Sequence, residues 1–447
     1  MTFLPSKLPQ LPRYTSYPTA PHFNAQSASD AQNILYSSIT CDAPVSVYIH
    51  IPFCDRLCWF CGCHTKHTLK YEPVAAYVKT LIREIEQFRR RVSVRPKLNF
   101  LHFGGGSPSM LRPAEARLIK EALNTTFEFT TDAETSVEVD PNDACESMMD
   151  ALSILGMTRA SLGVQDFNPI VQDAINRPQG FEETKALVDA LRLIGVSSLN
   201  IDALYGLPFQ TEQSILKTTQ QVISLEPDRI ALFGYAHVPS IKKHQNMIDA
   251  KALPTDDERI KQASASRTVI QEAGYETIGL DHFAKKYDSL ARAKRDGKLR
   301  RNFQGYTTDQ AKTLLGFGAS SISSNREVYV QNHVATNTYQ RLVSQGESVA
   351  GKGLVLSQDD QIRAFMIEAL MCNFKLDGAE LIERFGNVGT DYILEMEAAA
   401  LADPYEICDF EQNILKIRPN RYDFVRLIAS RFDAYLNSGQ STYSKAV

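Results

Sequence analysis

A chain of 447 residues is long enough for one large domain and a smaller one, and 43% hydrophobic with 22% charged residues is ordinary globular composition, which excludes a disordered or fibrous chain. A net charge of -4 at pH 7 provides neither the basic surface of a nucleic-acid binder nor a polybasic membrane patch. Prolines near the start stand where a signal peptide needs an apolar run, and no stretch approaches a membrane-spanning helix, so a cytoplasmic protein with no nucleic-acid or membrane partner is expected.

Residues 1–40 are expected to form an extended N-terminal segment. The alternating run Val45–Ile51 then predicts a first strand. Directly after it come Cys54, Cys58, Cys61 and Cys63, half of the eight cysteines within ten positions. Thiolates at a C-x3-C-x2-C spacing on one tight loop can converge on a soft metal centre, and thiolate is the usual ligand of iron-sulfur clusters. Three sulfurs would hold three irons of a cubane and leave the fourth open to substrate. A zinc knuckle is the alternative, because Cys63 could complete four thiolates and His50, His64 and His67 lie close by. Paired zinc thiolates usually come as two arms separated by a longer excursion, however, and Phe53, Trp59 and Phe60 place rings among these sulfurs as a cluster kept from water requires. Cys41, Cys145, Cys372 and Cys408 stand alone and read as small buried hydrophobes.

Further along, Val74, Val78, Leu81, Ile85, Phe88 and Val92 form one apolar stripe, predicting a surface helix over 71–91. Strands are expected over 98–103, 135–139, 160–164, 199–204, 229–233 and 276–280, with helical stripes over 117–123, 182–194 and 257–272. That alternation is the rhythm of a parallel sheet, and no period of 20 to 50 residues repeats. In parallel barrels functional groups sit at the carboxyl ends of strands. Here those ends carry the cysteine loop, the triplet Gly104, Gly105 and Gly106, then Glu138 and Asp140, Gln165 and Asp166, Asp202, Tyr235 and His237, and Asp281 and His282.

After residue 345 helices take over. Ser357 to Asp360 reads as a capping box opening a helix striped by Ile362, Phe365, Leu370 and Phe374, and two further helical stretches flank a hairpin over 405–418. The expected division is an N-terminal segment over 1–40, a catalytic barrel over 41–345 and an accessory domain over 346–447. The last has winged-helix character but no notable basic charge, so a lid or packing role is expected of it.

With Tyr48 to Cys54, the cysteine loop and the glycine triplet, the chain resembles radical S-adenosylmethionine enzymes. More narrowly, it resembles the oxygen-independent coproporphyrinogen III oxidases, through matching segments at 12–19, 104–108, 136–141, 163–167, 200–202, 205–208, 235–237, 302–308 and 372–374. The resemblance implies an α/β fold, a partial (β/α)6 TIM-type barrel with an N-terminal extension and a small, mostly helical, winged-helix-like C-terminal domain. It implies that Cys54, Cys58 and Cys61 ligate a [4Fe-4S] cluster whose open iron binds S-adenosyl-L-methionine, and that Cys63 is not a ligand but serves the catalytic site with Tyr48 and Glu138. Two S-adenosylmethionine molecules are implied, the first met by Tyr48, Gly105, Glu138, Ala236 and Ile322, the second by Phe60, Gly106, Ser107, Gln165, Arg177 and Asp202. The residue types suit those roles: glycines allow close backbone approach, Glu138 can accept from an ammonium, Asp202 can hold ribose hydroxyls, and Arg177 can pair with a carboxylate. Ser107 replaces a usual threonine and keeps its hydroxyl.

The reaction implied is decarboxylation of two propionates of coproporphyrinogen III to vinyl groups, giving protoporphyrinogen IX in haem biosynthesis. A 5'-deoxyadenosyl radical starts it, and an unidentified electron donor and acceptor take part beside a monomeric enzyme. Haem chaperones and haem-modifying radical S-adenosylmethionine relatives, which bind haem without decarboxylating, are the alternative. Arg13, Tyr14, Tyr17, Arg56, Lys66, Arg300, Arg301 and Phe303 are the expected cations and rings for substrate carboxylates and pyrroles.

Overall fold

The structure, a computed structural model, describes residues 9–436. Six of the expected runs form strands β1 (Val45–Ile51), β2 (Lys97–Gly105), β3 (Glu128–Val139), β4 (Arg159–Gln165), β5 (Ser198–Tyr205) and β6 (Arg229–Gly234), paired in parallel in chain order. Parallel pairing needs a crossover after each strand. Helices Glu72–Arg91, Pro113–Thr126, Glu146–Leu155, Phe181–Leu193 and Glu212–Ser224 supply these crossovers, and the expected stripe of the first is buried from Val74 to Phe88.

Strand β4 illustrates how the sequence sets its two faces. Ala160, Leu162 and Val164 are buried in the main core, whereas the alternate residues Ser161, Gly163 and Gln165 are half-exposed on the other face. A polar cavity of about 850 Å³ is lined by Ser46, His102, Ser136, Ser161, Asn200 and Arg229, one from each of the six strands. The sheet therefore curls round a lumen as a partial barrel.

The run expected over 276–280 as a further parallel strand is instead β7 (Tyr275–Ile278), an edge strand antiparallel to β8 (His282–Lys285), which is itself antiparallel to β6. Asp281 still reaches the carboxyl-end rim beside Gly234 and Tyr235, whereas His282, expected there too, pairs with Ala231 and faces the lumen with Ser46 and Arg229, because the antiparallel ladder starts partway along β6. β9 (Thr313–Phe317) pairs in parallel with the free side of β1, and β10 (Ile322–Ser324), β11 (Val328–Asn332) and β12 (Ala350–Val355) complete a twelve-stranded sheet in antiparallel fashion. The sheet thus runs ten residues past the boundary expected at 345. The N-terminal segment supports its far edge, through the bridge from Asn24 to Gly353 and the helix Ala28–Ser37 beneath it.

Ser357 caps the helix Gln358–Asn373 in the expected box, its hydroxyl accepting from Asp360 N–H at 3.1 Å while Asp360 accepts from Ser357 N–H at 2.9 Å. Three short antiparallel strands, β13 (Lys375–Asp377), β14 (Cys408–Glu411) and β15 (Ile414–Ile417), pack with the helices Gly378–Phe385 and Val388–Leu401 around Ile362, Leu370, Phe374, Met396 and Leu415. Tyr14 and Tyr17 plug this second core, the Tyr14 hydroxyl donating to Asp433 at 3.0 Å and that of Tyr17 accepting from Ala434 N–H at 3.0 Å. Of the lone cysteines, Cys372 and Cys408 are buried as expected, but Cys41 and Cys145 are exposed. Both sit outside regular elements, where no core reaches them. Among the described residues no helix is long and apolar enough to cross a membrane.

Candidate active site

β1 delivers its carboxyl end straight into the cysteine loop, which the short parallel bridge of Phe53–Cys54 with Lys66–His67 closes. The loop is held by its backbone carbonyls from two sides. Lys242 Nζ donates to Cys63 O at 3.0 Å, His244 Nε2 to Cys61 O at 2.7 Å and Gln245 Nε2 to Phe60 O at 3.0 Å. Opposite them, Asn176 Nδ2 donates to Leu57 O at 2.9 Å and Trp59 N–H to Ile175 O at 2.9 Å.

Burial pushes the Cys54 thiol up to about 12 and raises that of Cys58, although Arg177 Nη1 donates to Cys58 Sγ at 3.3 Å. Cys61 is held below the ordinary thiol range by its hydrogen bond from Cys63. Cys54 and Cys58 therefore need a metal to hold them as thiolates. Three cysteines on one braced loop beside a buried guanidinium suit an iron-sulfur cluster, because thiolate is its usual ligand and the cation offsets the sulfur charge. Among the described residues no three His, Cys, Asp or Glu side chains converge on a single-ion site.

The glycine turn ends β2 directly beside this loop. Gly105 has φ +120°, and a Cβ there would lie 2.5 Å from the His50 ring, so only glycine fits the turn. Gly106 N–H donates to Ile51 O at 2.8 Å, and Ser107 N–H to Phe53 O at 2.7 Å. Glu138, at the end of β3, accepts from Gly105 N–H at 3.0 Å and lies 3.3 Å from His102 Nε2. Burial opposes its charge, but these donors, with His50 nearby, still hold the carboxyl below its usual range. The Tyr48 ring stacks on His102 with centroids 5.7 Å apart.

His50 Nε2 can only donate to His64 O, at 3.0 Å, so Nδ1 accepts from the Tyr48 hydroxyl at 2.9 Å. Burial lowers His50 to about 4. The unfolded chain therefore takes up this proton between pH 6.5 and 4 while the folded one does not, so a contribution of about 3 kcal/mol present above pH 6.5 is lost as pH falls toward 4. In urea titrations at pH 7.5 and pH 4.5, the wild-type protein is expected to lose more stability on acidification than His50→Gln.

Residues expected to meet a second cofactor gather on the adjoining strands. Arg177 Nη1 and Nη2 donate to the two Asp140 carboxylate oxygens at 3.0 Å each, and Nη2 donates to Gly163 O at 2.6 Å. Gln165 ends β4 at φ 70°. Asp202, on β5 opposite Gly163, accepts from Asn200 Nδ2 at 2.7 Å, and burial raises its carboxyl to about 6. Ser107 is buried, its hydroxyl spent internally on Ser109 and Asp143 and its N–H on Phe53 O. Ala236 and Phe60 are tied through Gln245, which donates to both carbonyls. The Ile322 backbone packs against Gly316, which pairs with Tyr48.

Residues 48–222 match the Radical SAM superfamily. An oxygen-independent coproporphyrinogen III oxidase of Cereibacter sphaeroides is 44% identical over 98% of this chain and 96% of its own length, and one of Bradyrhizobium diazoefficiens is 42% identical over 98% and 97%. The chain belongs to the oxygen-independent coproporphyrinogen III oxidase family. A solved coproporphyrinogen III oxidase (HemN) from Escherichia coli, a radical SAM enzyme, superposes with a TM-score of 0.89 at 37% identity, covering 95% of this chain and 98% of that one. This family member is thus a radical SAM oxidoreductase using a [4Fe-4S] cluster and S-adenosylmethionine, which decides the cysteine loop in favour of the cluster over zinc.

Five of the expected substrate contacts of this oxidase-family chain, Tyr14, Tyr17, Arg300, Arg301 and Phe303, line one cavity, whereas Arg13, Arg56 and Lys66 lie outside its lining. Tyr14 and Tyr17 are core residues of the C-terminal unit, Arg300 donates to Glu368 at 2.8 Å, Phe303 packs on Tyr329, and Lys66 donates to Asn337 at 3.2 Å. Arg56 is exposed. Arg13 also meets Arg301, at the rim beyond β6. His102, Asn176, Lys242, His244 and Gln245 were not singled out by sequence. None of them carried a distinct signal, since His102 shares its strand with the polar Lys97 and Asn99.

Proposed function

We propose that the chain carries out the oxygen-independent oxidative decarboxylation of two coproporphyrinogen III propionates to vinyl groups, yielding protoporphyrinogen IX. One observation carries the reading: the three-cysteine loop stands against the Tyr48, His102 and Glu138 group at the barrel rim of a chain that aligns with such oxidases over its whole length. The curated relatives it matches most fully carry the oxidase name and none of these names a haem carrier, so the chaperone reading has no support of its own.

When bound, the reduced cluster and S-adenosylmethionine supply a 5'-deoxyadenosyl radical that removes a hydrogen atom from the propionate β carbon. Cys54, Cys58 and Cys61 hold the cluster. Glu138, already ionised by its donors, takes the ammonium of the first cofactor, with Tyr48, Gly105, Ala236 and Ile322 around it. Phe60, Gly106, Ser107, Gln165, Arg177 and Asp202 frame a second S-adenosylmethionine molecule. Cys63 stays off the cluster at the mouth of the site. The curled sheet excludes water from the reacting carbon. Each decarboxylation releases carbon dioxide and passes one further electron out, so a separate donor and acceptor serve the enzyme, which acts as a monomer. All eight cysteines are free thiols, as in a reducing cytoplasm.

The test is anaerobic turnover of the reconstituted protein with coproporphyrinogen III, reductant and S-adenosylmethionine. Divinyl product with 5'-deoxyadenosine is expected. Stable haem binding without S-adenosylmethionine cleavage would sink the reading.

A further inference from the structure

Beyond the carboxyl ends of β5 and β6 lies a cavity of about 630 Å³ on which Arg13, Arg259, Arg267, Arg301 and Arg426 converge. Among the described residues its lining includes two acids, Asp281 and Asp423, beside these five arginines. Both acids are committed. Asp423 pairs with Arg267, and Asp281 accepts from His282 Nδ1 at 2.7 Å with Arg301 Nη1 3.9 Å away.

Arg301 is the central cation. Its side chain is only 4% exposed and lies over the Tyr306 ring at 4.4 Å, yet its Nε and Nη1 find no hydrogen-bond acceptor among the described residues. Arg13 enters from the N-terminal segment, donating to Gly234 O at 2.8 Å and accepting at its own carbonyl from Arg301 Nη2 at 3.3 Å. Buried like charges cost stability unless an anion offsets them. The crowding registers at Arg426, whose guanidinium is lowered to about 10 by burial and then by Arg13.

The cavity is linked to the cysteine loop through one run of contacts. Tyr235 lines it, and the next residue, Ala236, is joined through Gln245 to Phe60.

We propose that this arginine cavity receives carboxylates of the tetrapyrrole substrate, anchoring non-reacting propionates while another is presented to the cysteine loop. The inference rests on the oxidase reading. The planar guanidinium fork matches a carboxylate bidentately, and a macrocycle with several propionates brings the anions the cavity lacks. The methionine carboxylate of S-adenosylmethionine offers the same chemistry from another source, and the binding assay separates the two.

Full-length protein, reconstituted anaerobically, is titrated with fluorescent coproporphyrin III, with its tetramethyl ester and with S-adenosylmethionine, in wild type, Arg13→Gln and Arg301→Gln. Losing one charge-assisted pair is expected to weaken coproporphyrin III binding about 10- to 100-fold, while ester and S-adenosylmethionine affinities stay level across all three proteins. Arg13 lies on the N-terminal segment and belongs to neither hydrophobic core, so Arg13→Gln decides alone if Arg301→Gln does not fold. Unchanged coproporphyrin III affinity overturns the proposal, as does a loss confined to S-adenosylmethionine. If wild type makes divinyl product while the variants bind porphyrin normally, only the cavity assignment fails. If wild type makes no product but the variants still lose tetracarboxylate binding, the oxidase reading fails and the cavity stands.

Discussion

Cys61→Ser, reconstituted anaerobically with iron and sulfide, is expected to lose the cluster's visible absorbance and to lower divinyl product formation by at least about a thousandfold. A serine hydroxyl does not replace a thiolate at iron, and the reaction has no other source of radical. The acceleration lost is large because enzymatic enhancements commonly exceed about 10⁶-fold. Cys63→Ser is the informative companion. Cys63 is exposed, and its backbone N–H already donates to Cys61 Sγ at 3.4 Å. Cys63→Ser is therefore expected to keep wild-type iron and sulfide content while losing turnover. Cluster loss in Cys63→Ser would mean four protein ligands and no iron left for S-adenosylmethionine.

Arg177→Met should have the largest effect on folding. Arg177 is 9% exposed at its side chain and joins four things at once: both oxygens of Asp140, the Gly163 carbonyl and Cys58 Sγ. Removing the guanidinium strands the Asp140 carboxylate, and breaking a buried pair from one side costs about 3–5 kcal/mol. Denaturant unfolding of the apoprotein should show that loss. The double variant Arg177→Met with Asp140→Leu should recover much of it, because the stranded charge is then gone. Equal instability of single and double variants would assign Arg177 no pairing role in the fold.

Much of this architecture can be read from the chain because its signals are local. Apolar alternation marks β1 and β4, the Val74 to Phe88 stripe marks the first crossover helix, and the cysteine spacing marks the loop. Strand direction is not local. The run at 275–278 carries the same β-branched and aromatic pattern whether its neighbour is parallel or antiparallel, so its place at the edge beyond β8 has no signature. β12 was missed for the opposite reason: Gly351 and Gly353 interrupt it, and only two of its residues, Leu354 and Val355, are large and apolar. The loop clamps were invisible because Lys242, His244 and Gln245 act through single contacts to backbone carbonyls, which impose no period on a short 3-10 turn.

The seating of Tyr14 and Tyr17 against Asp433 and Ala434 has a consequence in time. Translation emits the first of these partners more than four hundred residues before the last, so the early segment has nothing to dock on until the ribosome has nearly finished. Until then Arg13 is not drawn over the end of β6. Assembly of the arginine cavity and completion of the polypeptide are thereby put in order by the connectivity of the chain.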